Sequence, residues 1–245
     1  MKMKQLKTFF SALALLAAVS CGKSQQAGEG QVSFGVFSDN HVTDVTRSNV
    51  SDYTTLPGSG DFSISIKDAS SQPVWSGKVG EWDSATLLKA GNYTVTAEFG
   101  DIEEEGFDKP YFTGETSFAV AGGEVKAVSI PVSLANTVVK ISCTPDFQNY
   151  YKNYTFRLTR GTAEIATFVK GETKAAFIDA YKFNIEGVLE GETKTYNFKK
   201  EYTSLEAATA YTFVFDVKNT GGATITISFN NNVETVELGD FELND

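Results

Sequence analysis

The sequence predicts an all-β protein: two tandem antiparallel β-sandwiches, Ig-like or transthyretin-like, preceded by a segment that lies outside the fold. Three observations carry this. Apolar and polar residues alternate with a period of two, as in Phe62, Ile64 and Ile66 against Ser63, Ser65 and Lys67, and that period belongs to half-buried strands. Turn-forming clusters such as PGSGD, KAGN, AGGE, VKGE and NTGG separate these runs, so short strands return every ~8–12 residues, the spacing of sandwiches. No long stretch carries helical periodicity, and Ser204–Thr209 is the one candidate for a helical turn.

Taken in order, the chain opens on Lys2, Lys4 and Lys7, followed by the uncharged apolar run Phe9–Val19. A membrane-spanning helix needs roughly 20 apolar residues, so this shorter run predicts a cleaved export signal over residues 1–20. Gly22–Gly30 is small and polar; with Cys21 it forms a predicted flexible tether, residues 21–30. The first sandwich is placed at 31–135. Its strands include Tyr93/Val95/Ala97/Phe99 and Val128/Ile130/Val132/Leu134. The second is placed at 136–245, with Tyr154/Phe156/Leu158, Tyr181/Phe183/Ile185, Tyr211/Phe213/Phe215/Val217 and Ile225/Ile227/Phe229. Val, Ile, Thr, Phe and Tyr fill these runs, in keeping with strand preference. A faint repeat links the halves: Leu88-Lys89-Ala90 leads to Tyr93-Thr94, and Leu205-Glu206-Ala207 leads to Tyr211-Thr212.

Composition narrows the function. Of 21 basic and 31 acidic residues, three basic ones fall in the signal, leaving 18 against 31 and a net charge of −13. Neutralising phosphates takes clustered Lys and Arg, so nucleic acid is excluded as a partner, as is docking through a polybasic patch. With Cys21 assigned to the N-terminal segment, Cys143 is the only other cysteine, which rules out a disulfide framework and a cysteine-built zinc site. Cys143 reads as a small core residue.

No catalytic constellation is present, and the expectation is a protein that is not an enzyme and holds no cofactor. His41 is the single histidine, in the polar stretch DNHVTD, and neither GxSxG nor HExxH occurs. The run Asp101-Ile102-Glu103-Glu104-Glu105 packs too many adjacent like charges to tune a hydrolytic carboxylate pair. Asp101, Glu103 and Glu104 are weak calcium candidates, since hard cations take oxygen ligands. Trp75, Trp82 and Tyr111 are candidates for stacking on sugar rings, with core packing as the alternative.

Two resemblances add to this. Ser20-Cys21-Gly22 resembles the lipobox of bacterial lipoproteins, although Ala18 stands where Leu is usual. It implies acyl chains on Cys21 and hence an outer-membrane lipoprotein facing the cell surface or the periplasm; two or three chains hold firmly where one is marginal. The runs GNYTVTAEFGD and GFDKPYFTGETSFAV resemble Bacteroidetes lipoproteins of the domain-of-unknown-function 4493 type, and the second half is broadly similar to fimbrillin-like β-sandwiches. Those resemblances imply a sandwich fold and no catalytic residues. Similarity to fimbrillins also implies processing after an arginine, for which Arg47 is the candidate. Asp83-Ser84-Ala85 resembles the O-glycosylation motif of the same phylum, with Ser84 as acceptor. The reading is therefore a non-enzymatic envelope lipoprotein in adhesion or fimbria-like surface assembly, with envelope or fimbrial proteins or glycans as partners. The alternative is a glycan-binding accessory lipoprotein of a polysaccharide-uptake system.

Overall fold

The computed structural model describes residues 28–43, 48–217, 223–229 and 232–237. Within them strand is the dominant secondary structure. In the first half β1 is Glu29–Ser38, β2 Ser63–Asp68, β3 Pro73–Lys78, β4 Leu87–Lys89 and β5 Gly91–Phe99. There follow β6 Gly106–Phe107, β7 Phe112–Val120 and β8 Val125–Leu134. The second half has β9 Thr137–Cys143, a short helix α1 Pro145–Tyr150, β10 Asn153–Arg160, β11 Ala163–Val169 and β12 Ala175–Ile178. It ends with β13 Phe183–Glu190, β14 Thr195–Tyr202, β15 Ala210–Val217, β16 Ala223–Phe229 and β17 Asn232–Glu237.

The first seven-stranded sheet runs β3-β2-β5-β7-β8-β1-β4, and it folds over at the β7–β8 step. There the ladder pairs only Phe112 with Leu134 and Thr113 with Ser133. The next bonded position on β8 is Pro131, which has no N–H to give. Gly114 sits against the Pro131 carbonyl oxygen so closely that a Cβ would collide with it. The sheet therefore splits into two layers, and their inner faces form one core from Val32, Phe62, Ile64, Val95, Phe112 and Ile130. Phe34 on β1 meets Phe118 on β7 edge-to-face across the layers, centroids 5.6 Å apart.

The second half has a four-stranded layer, β11-β10-β13-β14, and a six-stranded one, β17-β16-β15-β9-β12-β6. Phe156 on β10 stacks on Phe215 of β15 at 4.0 Å, in a core shared with Phe147, Phe168, Phe183 and Phe213. Pairing is mainly antiparallel, but β1 runs parallel to β8 and β9 parallel to β15. A period of two records which face a residue takes and nothing about strand direction, so these two pairs were invisible to the alternation.

The faint repeat has a physical meaning. The Tyr93 hydroxyl donates to the Lys89 carbonyl at 2.7 Å, and the Tyr211 hydroxyl accepts from the Glu206 amide at 3.0 Å. Each is a tyrosine tied back to the backbone just before its own strand, as at a tyrosine corner.

The halves are not joined simply end to end at Ala135–Asn136. On β12, Ala175 and Phe177 belong to the first core while Ala176 and Ile178 belong to the second. Val138 and Ala210 likewise face the first core, and their neighbours Val139 and Tyr211 the second. The first half also supplies β6, which pairs with β12 as the outer strand of the second half's sheet.

Because the fold-over at β7–β8 leaves no room for a side chain, Gly114→Ala is expected to destabilise the protein by about 1–3 kcal/mol, the usual cost of overpacking. A urea titration measures it; an unchanged midpoint would show that the Pro131 contact can relax freely.

Candidate functional site

Two places combine exposure with chemistry. The first is the side of the first sandwich between the edge strand β3 and β1. By register Trp75 stands opposite Ile66, which stands opposite Val95, so its indole lies on the core-facing side of the sheet. Trp82 follows a short 3₁₀ turn at Val79–Glu81. The two indoles meet edge-to-face at 5.1 Å, and Phe34 packs on Trp82 at 5.2 Å. All three are half-buried. The Trp82 indole N–H donates to the Val32 carbonyl on β1 at 2.7 Å, so its polar edge is engaged inside the protein. The structure thus brings Trp75 and Trp82 together, as a plug over the core with part of each ring open to solvent.

Tyr111 is elsewhere. It precedes β7 at the end where Phe112 pairs with Phe99, and its hydroxyl donates to Glu98 Oε1 at 3.0 Å. Burial, with the Glu98 and Asp101 charges, raises its phenol pKa above the ordinary value. Its amide donates to the Asn136 side-chain oxygen, which fixes the start of β7 against the junction of the halves.

The second place is the connection between β5 and β7, which carries the acidic run. Asp101 Oδ1 accepts from the Glu103 amide at 2.9 Å, closing a local turn, and Glu104 pairs with Lys109 at 2.5 Å in the open. Among the described residues no three His, Cys, Asp or Glu side chains converge as a metal site would require, so Asp101, Glu103 and Glu104 form no cation cage.

Glu105 is the residue of this run with a tertiary task. It pairs with Arg160 at 2.8 Å and accepts from the Asp179 amide at 2.7 Å. Arg160 in turn donates to the carbonyls of Asp179 and Lys182, both at 3.3 Å, and lies over the Tyr181 ring. Next in the chain, Gly106 has φ +128° and leaves no room for a Cβ beside the Ile165 carbonyl, while Phe107 packs edge-to-face on Phe168 at 4.9 Å. Lys174 pairs with Asp108 at 2.5 Å. The connection is a strap fastened to the second half. Nothing in the sequence marks Glu105 over its neighbours, because its partner lies 55 residues away.

Ser84 is exposed in a turn in which Asp83 Oδ1 accepts from the Ala85 amide at 2.8 Å. His41 is exposed, with its backbone amide on Asp39 Oδ1 at 3.0 Å. Cys143 is half-buried at the end of β9; burial pushes its thiol up to about 11, which keeps it protonated and unreactive near neutrality. Cys21 and Arg47 lie outside the described residues. Among the described residues no helix is long and apolar enough to cross a membrane.

An all-β body with a plugged flank and a strap between its halves is the class of protein these observations define. The sequence profile described as a domain of unknown function, DUF4493, matches residues 28–244, and the chain belongs to that family. No curated protein matches the sequence significantly. Among solved structures it is similar to a candidate cell adhesion protein from Bacteroides ovatus, at 13% identity and TM-score 0.45 over 87% of this chain and 99% of that one. It is also similar to a fimbrial assembly protein from Parabacteroides distasonis, at 8% identity and TM-score 0.44 over 86% and 98%. A third is a candidate polysaccharide-binding protein from Bacteroides thetaiotaomicron, at 9% identity and TM-score 0.45 over 85% and 98%.

Removing the cation from a half-buried, hydrogen-bonded pair leaves its carboxylate short of partners. Arg160→Ala should therefore cost about 1–3 kcal/mol, the cost of stranding a polar group, and speed amide exchange at Gly106 and Phe107 while leaving the middle of β5 unchanged. Undisturbed exchange at Phe107 would mean that the strap holds without its ion pair.

Proposed function

We propose that the protein is a non-enzymatic cell-envelope lipoprotein that serves adhesion or fimbria-like surface assembly, held at the outer membrane by acyl chains on Cys21. The observation that carries the reading is the export signal ending at Ser20-Cys21-Gly22, placed directly before a polar tether and an all-β body. Acyl chains contribute ~0.8 kcal/mol per buried methylene, so two or three keep such a body on a bilayer. The acidic surface suits protein or glycan partners rather than phosphate backbones. The predicted tether is shorter than 21–30, because Glu29 and Gly30 already pair within β1; residues 21–28 carry no acidic side chain, and the reading extends to either face of the outer membrane.

A second reading, glycan binding in a polysaccharide-uptake system, draws on one observation: Trp75 and Trp82 stand together at a half-open flank. Ring faces at such a place suit sugar stacking, although the Trp82 N–H is already spent on Val32. Processing after Arg47 would leave β1 attached through non-covalent contacts alone, and strand addition by a neighbour would then need β1 to leave its ladder with β8.

Cys21→Ala is expected to move the protein from the membrane to the soluble fraction, and its retention with the membranes would sink the anchoring proposal. On a glycan array, specific binding lost in both Trp75→Ala and Trp82→Ala would favour the second reading over the first. The intact mass of the mature protein decides the two modifications: a mass that includes Gln31–Arg47 and no sugar removes both Arg47 processing and Ser84 glycosylation.

A further inference from the structure

The direction of β1 relative to β8 determines how the first half responds to load. β1 is the first strand of the fold and β8 the last of the first half, and they pair in parallel over Gln31–Ser38 and Val125–Val132. A pull applied ahead of β1 and resisted beyond β8 therefore acts at opposite ends of one ladder. An antiparallel pair would present both points at the same end and open one bond at a time. In a parallel ladder the evenly spaced bonds lie across the pull and must fail together.

We propose that the β1–β8 ladder is a mechanical clamp that carries tension between the N-terminal attachment and the second half of the molecule. This rests on the reading of the protein as anchored ahead of β1.

Both ends of the ladder are closed, with the Gln31 amide donating to the Glu124 carbonyl and the Asp39 amide to the Val132 carbonyl, each at 2.7 Å. The other edge of β1 is fastened along its length. β4 pairs with Glu29–Gln31, the Ala90 amide donates to the Gly28 carbonyl at 2.7 Å, and the Trp82 indole holds the Val32 carbonyl. The Val36 amide donates to the Ser59 hydroxyl at 2.9 Å. Val32 and Val36 are buried beneath this edge, so sliding β1 would also expose apolar side chains. Past β8 the chain passes through Ala135 and Asn136 directly into β9, which is itself parallel to β15 over Val138–Cys143 and Ala210–Phe215. The same arrangement thus recurs where load would enter the second half.

The test is single-molecule pulling on the unacylated chain that begins at Cys21, in a Cys143→Ala background. One handle is the Cys21 thiol and the other is either Val125→Cys or Ser133→Cys. Both positions are exposed and both lie on β8, so the two proteins differ only in which end of the ladder is pulled. Pulling through residue 133 shears the ladder, and pulling through residue 125 unzips it. Rupture force is set by the unfolding barrier along the pulled coordinate, and the shear geometry should need roughly threefold more force or higher. Equal forces in the two geometries, or a lower force through residue 133, would overturn the clamp. The anchoring proposal is judged separately by membrane retention of Cys21→Ala: a shear-resistant ladder in a protein that never attaches would uphold the clamp and refute the anchor.

Discussion

Val138–Val139 on β9, Ala175–Ile178 on β12 and Ala210–Tyr211 on β15 carry apolar side chains on both faces of one sheet, and both faces must be covered. Fully burying a Val, Ile or Phe side chain is worth ~1.5–3 kcal/mol, so neither face can be left to solvent at tolerable cost. The first core covers one face and the second core the other. This is why the halves meet as they do, and why the short connection at Ala135–Asn136 is not a hinge between two separate bodies. Asn136 adds to the seam: it is wholly buried, accepts from the Tyr111 amide through its side chain and receives the Ala208 amide on its carbonyl.

The second constraint is the edge of a sheet, where unpaired N–H and C=O groups need partners. The chain meets it with pieces brought from a distance. Trp82 and Ser59 cap the part of β1 that β4 does not reach. The strap brings β6 to β12, and Glu105 with Arg160 holds it there.

Much of the fold was legible in the sequence, and what was missed has physical reasons. The alternating runs at Phe62–Ile66, Tyr93–Phe99, Tyr154–Leu158 and Tyr211–Val217 became strands because one face is wet and the other dry. β12 reads Ala-Ala-Phe-Ile and alternates nothing, because both of its faces are buried. The helix α1 is only six residues long, too short for periodicity, yet Thr144-Pro145-Asp146 held a start signal: Thr144 caps the Phe147 amide at 3.2 Å and Pro145 fills the first turn. Trp75 and Trp82 stand out in the sequence as aromatics, but their contact depends on register. Glu105 could not be told from Glu103 and Glu104, since a salt bridge to Arg160 leaves no trace in local sequence.

The two cores share a sheet and should stand or fall together. Both tryptophans, Trp75 and Trp82, belong to the first core, so indole fluorescence reports on that half alone. Amide exchange in peptides from β10 and β13 reports on the other. Followed together through a urea titration, the two signals should change at one midpoint, the mark of a single cooperative unit. Two well-separated midpoints would contradict the shared sheet and return the molecule to a pair of independent sandwiches.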